Sequence, residues 1–347
     1  MASHPTPLFA LSRRGRLYAA FLIAGCSLAP SLTAETVERI EKKLDARPGG
    51  KLVVDIAGAR IEVTTSSDPA VSIDFERKVR ASSKEDEEAY LADRVVTIAQ
   101  EGDTVIIRQK KPEKKWGFFS GWSRLRTKIE ARCTVVVPSE FDVDLETSGG
   151  SISVASLTGD VRADTSGGGI RCENITGEVD ADTWGGSIHL IAVHGASVAD
   201  TSGGSITAET CSGELSADTS GGSIRVSRHR GNVEADTSGG SITFDEVEGN
   251  VSGDTSGGSI RATLATAPTT DCRLSTSGGG ITVTMPAGAA VKLDAATSGG
   301  HVESDFDVAG VDLRKKRNDV QGNINGGGPL LHLRTSGGGI HVKQGQG

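Results

Sequence analysis

The amino-acid sequence predicts an all-β protein: a parallel β-solenoid with about 18 residues per coil, preceded by a β-rich N-terminal cap with one short helix. Three observations carry that prediction. The phrase Thr-Ser-Gly-Gly opens at Thr147 and returns at Thr165, Thr183 (with Trp184 in place of serine), Thr201, Thr219, Thr237 and Thr255, six successive intervals of 18 residues. It reappears at Thr276, Thr297 and Thr335, after 21, 21 and 38 residues. Within a unit numbered from its threonine, position 6 is isoleucine in every regular copy, from Ile152 to Ile260, and position 8 is mostly apolar or small. Position 15 is usually branched, and position 17 is Ala or Gly. Apolar residues two apart between polar ones mark short strands with one buried face. Finally, the unit halves. Residues 201–209 lie over 210–218 with Thr on Thr, Gly on Gly, Ile on Leu and Ala on Ala, so nine residues make one strand and one turn.

Two strands and two turns per coil, stacked on copies of themselves, build a solenoid in which each strand pairs in parallel with its copy about 4.8 Å away. The composition agrees. The 46 glycines are about twice ordinary usage, and with 4% aromatic residues the chain cannot build a large core on Phe and Trp. The glycines are periodic and 36% of residues are hydrophobic, which argues against a disordered low-complexity chain. A coil this thin has room inside for Ile, Val, Ala and a layer of Thr. The glycine pairs at its corners are expected to supply positive φ, so that Gly221→Val would cost more than about 1 kcal/mol.

In chain order, residues 1–34 read as an export signal. Arg13, Arg14 and Arg16 precede an apolar run that begins at Leu17, and no acid occurs among them. Two processing routes are open: a lipobox at 23–26, with Cys26 as the lipidated residue, or cleavage after Ala34. Cleavage after Ala34 leaves 34 basic against 45 acidic residues, a net −11. That balance argues against nucleic acid as a partner.

Residues 35–146 form the β-rich cap. Strands are predicted at 51–54, 60–64, 71–75, 95–98, 104–108 and 128–137, and Ser82-Ser83-Lys84-Glu85 resembles a capping box that opens a helix through about residue 93. Residues 147–303 are the regular TSGG array. Residues 304–347 form a closing segment, in which a charged run, Arg314-Lys315-Lys316-Arg317, and a Gly-Gly-Gly-Pro turn at 326–329 interrupt the period.

The TSGG-led array, the mixed strands before it and the stretch NINGGGPLLHLRTSGGGI at 323–340 resemble the bacterial putative-adhesin family of exported β-strand-repeat proteins. The resemblance covers residues 35–343; Trp184 and the 21-residue spacings depart from its pattern. It implies a β-solenoid and an envelope or extracellular location, and says little about a ligand.

Candidate chemistry falls in columns along the repeat. Aspartates recur at position 18 (Asp164, Asp182, Asp200, Asp218, Asp236, Asp254). Calcium-binding β-rolls share the 18-residue coil, but their Gly-to-Asp spacing is absent here, so each Asp is expected to cap its own turn through the Ser and Gly amides. His189, His194 and His229 occupy positions 7, 12 and 11 and are not expected to converge on one point. Cys172 and Cys211 lie two coils apart, about 10 Å, too far for a disulfide.

One loop, 110–128, packs Lys114, Lys115 and Arg124 around Trp116, Phe118, Phe119 and Trp122. It could touch anionic lipid or polysaccharide. Alternatively, its aromatics fold back to plug the solenoid, and the need of small cores for capping aromatics favours the plug.

The expected function is therefore that of an exported, non-enzymatic interaction scaffold in the cell envelope or at the cell surface, without cofactor or metal. Surface polysaccharide, lipid or other envelope components are its partners, and any membrane attachment is through a lipid anchor. The alternative is a purely structural envelope protein without external ligand, and less favoured are a polysaccharide-active enzyme and a calcium-binding roll.

Overall fold

The structure, a computed structural model, describes residues 35–111, 127–311 and 317–345. The chain winds into two facing sheets of 14 strands each. In the regular array each coil gives its Ile-led strand to one sheet (Ile152–Thr158, Ile170–Thr176, Ile188–His194 and onward) and its Val-led strand to the other (Val161–Thr165, Val179–Thr183, Ser197–Thr201 and onward). Neighbouring coils pair in parallel with no slip, so that Ile152, Ile170 and Ile188 stack in register, as do Thr165, Thr183 and Thr201. The parallel β-solenoid read from the repeat is the observed fold.

The interior is built by five apolar columns and one polar one. Positions 6, 8, 11, 15 and 17 point inward and are almost fully buried. Phe244 enlarges position 8 of its coil, and the facing position 17 shrinks to Gly253, where a Cβ would stand 3.1 Å from the Phe244 ring. The register of the ladder also overrides local sequence. Ser197 sits in the inward column at 5% exposure, and Val198 beside it faces solvent at 42%.

The corners correct the sequence reading. Neither glycine of the TSGG pair adopts a positive φ; that conformation falls elsewhere, on position 10, whose residues Ser156, Asn174, Ala192, Thr210, Arg228 and Glu246 have φ between 51° and 63°, and on the glycine of the other turn (Gly159, Gly177, Gly213, Gly231 and Gly249), with φ between 117° and 156°. The αL residue at position 10 bends each strand and turns both position 8 and position 11 inward. The second TSGG glycine is required for a different reason. A Cβ on Gly222 would lie 1.9 Å from the Gly204 carbonyl oxygen one coil away, whereas on Gly221 the nearest atom is at 3.5 Å. Close approach of stacked backbones, not positive φ, selects the glycine.

Capping of this corner falls to threonine rather than aspartate. Thr219 Oγ1 donates to the Gly204 carbonyl at 2.8 Å and accepts from the Gly222 amide at 3.3 Å. The same pair of bonds recurs at Thr165, Thr183, Thr201, Thr237 and Thr255.

Both ends depart from simple stacking. At the C-terminal end the last TSGG coil, with strands Leu330–Thr335 and Ile340–Gln344, is inserted between the coil of Cys272–Thr276 and Ile281–Met285 and the coil of Val291–Thr297 and Val302–Ser304. Coil order along the stack is thus Thr276, Thr335, Thr297. Asp319–Ile324 then covers the outermost strand antiparallel. At the N-terminal end, the expected cap strands appear as Gly50–Asp55, Ala59–Ser66, Ala70–Arg80, Val96–Glu101, Thr104–Gln109 and Lys128–Pro138, joined by an edge strand Thr36–Asp45 that the pattern had not marked. Antiparallel pairing at this end, Thr36–Asp45 on Ala70–Arg80 and Val96–Glu101 on Thr104–Gln109, presents edges that do not continue the parallel ladder.

The helix is Lys84–Asp93, capped by the Ser83 side chain, which accepts from the Asp86 amide at 3.1 Å. Buried Glu87 anchors it, accepting from Thr36 Oγ1 at 2.6 Å and from the Ala81 amide at 3.1 Å.

Candidate functional site

The outward columns are where a repeated surface is offered. On the Val-led sheet the aspartates at position 18 face solvent and align in register from Asp164 to Asp254. From Asp182 to Asp254, with the serines of the TSGG corners, they line a shallow groove of about 570 Å³. Burial first, and then the neighbouring carboxylates, push Asp182, Asp200 and Asp236 above the usual carboxylate range. At one end of this groove Trp184 replaces the corner serine and stands 74% exposed, the most exposed large apolar side chain among the described residues. Its amide is held by the Thr165 carbonyl at 3.2 Å, so the ring projects from a fixed backbone.

The histidines occupy separate environments. His189 is exposed on the Ile-led sheet, and His194 Nδ1 meets Ser212 Oγ at 2.9 Å on the bent corner. His229 replaces the apolar residue of the position 11 column and is 2% exposed. Its Nε2 lies 3.0 Å from the Gly213 carbonyl, its buried Nδ1 has no partner, and burial holds its pKa below the ordinary value.

Two further histidines meet acids that the sequence does not set beside them, because the partners are some 40 residues away. His332 Nδ1 lies 3.2 Å from Asp294 Oδ2, which also accepts from Arg334 at 2.7 Å. His341 Nε2 lies 3.1 Å from Asp305 Oδ1. Burial raises the Asp294 carboxyl, but the bonds from Arg334 and His332 outweigh it and hold it below the usual range; the His341 bond does the same for Asp305. Each pair ties the inserted coil to the outermost one.

Cys133, Cys172, Cys211 and Cys272 are buried free thiols, and a whole coil separates Cys172 from Cys211. Burial pushes Cys133 and Cys172 up to about 12, so both are thiols rather than nucleophilic thiolates at neutral pH. Among the described residues no group of three or more His, Cys, Asp or Glu is arranged to hold a metal ion, and no helix is long and apolar enough to cross a membrane.

The loop residues singled out in the sequence, Lys114, Lys115, Trp116, Phe118, Phe119, Trp122 and Arg124, lie outside the described residues, as does Cys26. The flanking strands do show what the loop connects: Thr104–Gln109 belongs to one sheet and Lys128–Pro138 to the other, both near the N-terminal end of the stack.

Two facing parallel sheets wound from an 18-residue TSGG coil, with antiparallel ends, define a β-solenoid class of protein. Residues 50–343 match the Toastrack DUF4097 family, and the chain belongs to it. Among solved structures, it is similar to a putative cell adhesion protein from Clostridium sporogenes, at 13% identity over 90% of this chain and 100% of that one, with a TM-score of 0.19. It is also similar to a putative adhesin from Bacteroides fragilis, at 11% identity over 88% of this chain and 97% of that one, with a TM-score of 0.34. A search of curated proteins finds no match.

Proposed function

We propose that the protein is an exported, non-enzymatic scaffold that binds components of a cell surface or envelope through repeated contacts. The observation that carries this reading is the register of the outward columns: successive coils present the same position at the same height, about 4.8 Å apart, along a rigid axis. Such a surface suits a polymeric or densely displayed partner, since many weak contacts made together hold far more strongly than any one alone. The exposed Trp184 and the carboxylate groove beside it belong to that surface. The N-terminal charged-then-apolar segment supports export, with either a lipid-anchored or a freely diffusing mature form.

A binding screen of the full chain against cell-wall glycans, lipid vesicles and host matrix tests the reading. Adherence to at least one of these that is lost when the partner is displayed sparsely supports it. A protein that adheres to none of them is a purely structural solenoid. Mass spectrometry of the mature N-terminus decides between lipidation at Cys26 and cleavage after Ala34.

A further inference from the structure

The bent corner does not continue along the whole solenoid. Six consecutive coils carry the αL residue at position 10, from Ser156 to Glu246, and the coils that follow lack it. Where the bend ends, the ladder shifts register so that Leu264 stands opposite Val247, and the strands Ile260–Leu264 and Ile281–Met285 stop two residues shorter than Ile242–Glu248. The corner steps inward and leaves a cavity of about 1030 Å³, the largest of those described.

One wall of this cavity is the projecting end of the bent corner. His194, Ser212, Arg230 and Glu248 succeed one another at position 12 of four coils, and Arg228 and Glu246 stand in the adjoining column at position 10. These side chains are already ordered against one another. Arg230 Nε lies 3.1 Å from Glu248 Oε2, and Arg228 is bonded to Glu209 and, at 3.3 Å, to Thr210 Oγ1. The floor is mostly apolar: Leu264, Ala265, Met285, Pro286 and Ala287 line it, with Thr263 and Thr284 at the same level.

We infer that this step is a glycan-binding site, taking a short uncharged oligosaccharide. The inference rests on the adhesive reading above and gives it a place and a ligand class. Three features select the class. First, a coil bearing two guanidinium donors, Arg228 and Arg230, lies against one bearing two carboxylate acceptors, Glu246 and Glu248, and a sugar hydroxyl, which both donates and accepts, is matched by such neighbours. A polyanion would meet Glu246 and Glu248, and a polycation would meet Arg228 and Arg230, each at a cost in like-charge repulsion. Second, the apolar floor can take the C–H face of a ring while the wall takes its hydroxyls, the usual division of labour in a small-ligand cleft. Third, the polar pairs repeat at the coil rise of about 4.8 Å, close to the advance of one ring in an extended glycan. The cavity lies at the upper end of the size range of small-ligand pockets, about 300–1,000 Å³, room for several rings.

The test uses the full chain on a printed panel of neutral and acidic bacterial and host oligosaccharides, with polyphosphate and polylysine as charged probes. Any glycan that binds is then titrated by calorimetry. The expected result is binding of one or more neutral oligosaccharides, weakened at least tenfold by Ala265→Trp, which fills the floor, and also by Glu246→Gln, an exposed change that leaves the fold intact. Melting temperatures of both variants should match the parent, and Glu101→Gln, an exposed change at the N-terminal end of the stack, should bind the glycan as the parent does. The inference is overturned if no oligosaccharide binds, if only a charged probe binds, or if both cavity variants bind unchanged. Whole-protein adherence to envelope fragments separates the two levels. Adherence that survives Ala265→Trp with no glycan bound removes this cavity and leaves the adhesive reading standing, whereas absence of adherence removes both.

Discussion

Two columns run along the regular coils on adjacent residues of the same strands: the threonines at position 1, facing in, and the aspartates at position 18, facing out. Both repeat with the coil, and they behave in opposite ways. Each threonine hydroxyl is a donor to the coil before it and an acceptor for its own corner amide, so stacking another coil completes a bond. Each aspartate brings the charge its neighbour already has, and the column is tolerable because it lies in solvent, where water and salt screen it. A group repeated by translation thus stabilises the stack when it is complementary to itself along the axis and strains it when it is not. In a solenoid that criterion sorts residues between inside and outside as strongly as hydrophobicity does.

The threonine corner should show the largest effects. Gly222→Ala places a methyl 1.9 Å from a backbone carbonyl, which cannot move without spreading the coils. A loss of about 3 kcal/mol or more is expected, against less than about 1 kcal/mol for Gly221→Ala, where the added methyl finds ordinary contact at 3.5 Å. Urea unfolding of the pair compares them; equal losses would mean that close approach is not what holds the corner.

Next comes Thr219→Val, which keeps the shape and removes the hydroxyl. The Gly204 carbonyl and Gly222 amide are left without this partner, at a cost on the order of 2–4 kcal/mol. Faster amide exchange at Gly222 should accompany the loss.

His229 sharpens the comparison from inside, as a titratable group among apolar ones. Burial lowers its pKa, so as pH falls the unfolded chain takes up the proton first, and stability is lost from about pH 6.5 down towards the lower folded value. His229→Val, matching Val193 and Val247 in the same column, should flatten thermal stability between pH 7 and 5. A profile as steep as the parent's would clear His229 of this role.

The aspartate column should give the smallest effect, and of the opposite sign. With Asp182, Asp200 and Asp236 raised in the folded state, the native protein holds protons that the unfolded chain has released. Their contribution therefore improves as pH falls through the raised folded values towards the ordinary value of about 3.9. At pH 7 Asp236→Asn should stabilise by no more than about 1 kcal/mol, as expected of exposed charges, and the gain should shrink as salt is added. Measured in the His229→Val background, the two pH dependences separate; destabilisation by Asp236→Asn at low salt would show that the column is held by something other than screening.

Much of this architecture was legible in the sequence because a translational repeat writes every contact many times. The 18-residue period of the threonines, the invariant isoleucine at position 6 and the halving of the unit were enough to specify parallel coils, their register and the inward columns. The helix was equally legible, since Ser83 caps it locally. What depends on contacts between coils was not. Glycine at 222 looks like a turn residue until the Gly204 carbonyl is seen above it, and the αL bend at position 10 falls on Ser, Asn, Ala, Thr, Arg and Glu, of which only Asn favours that conformation. Local alternation would turn Val198 inward; the ladders on both sides, already in register, put Ser197 there instead. Nor does the chain order Thr276, Thr297, Thr335 reveal that the last coil is inserted between the other two. All three carry the same corner and the same inward pattern, so strand pairing alone is compatible with either order, and the choice rests on long-range contacts such as the Leu330 amide on Asp271 at 2.8 Å. The cavity at the step of the corner has the same origin. It exists because one bend is missing from coils that otherwise obey the repeat, and only the stack of neighbours turns that omission into a shaped surface.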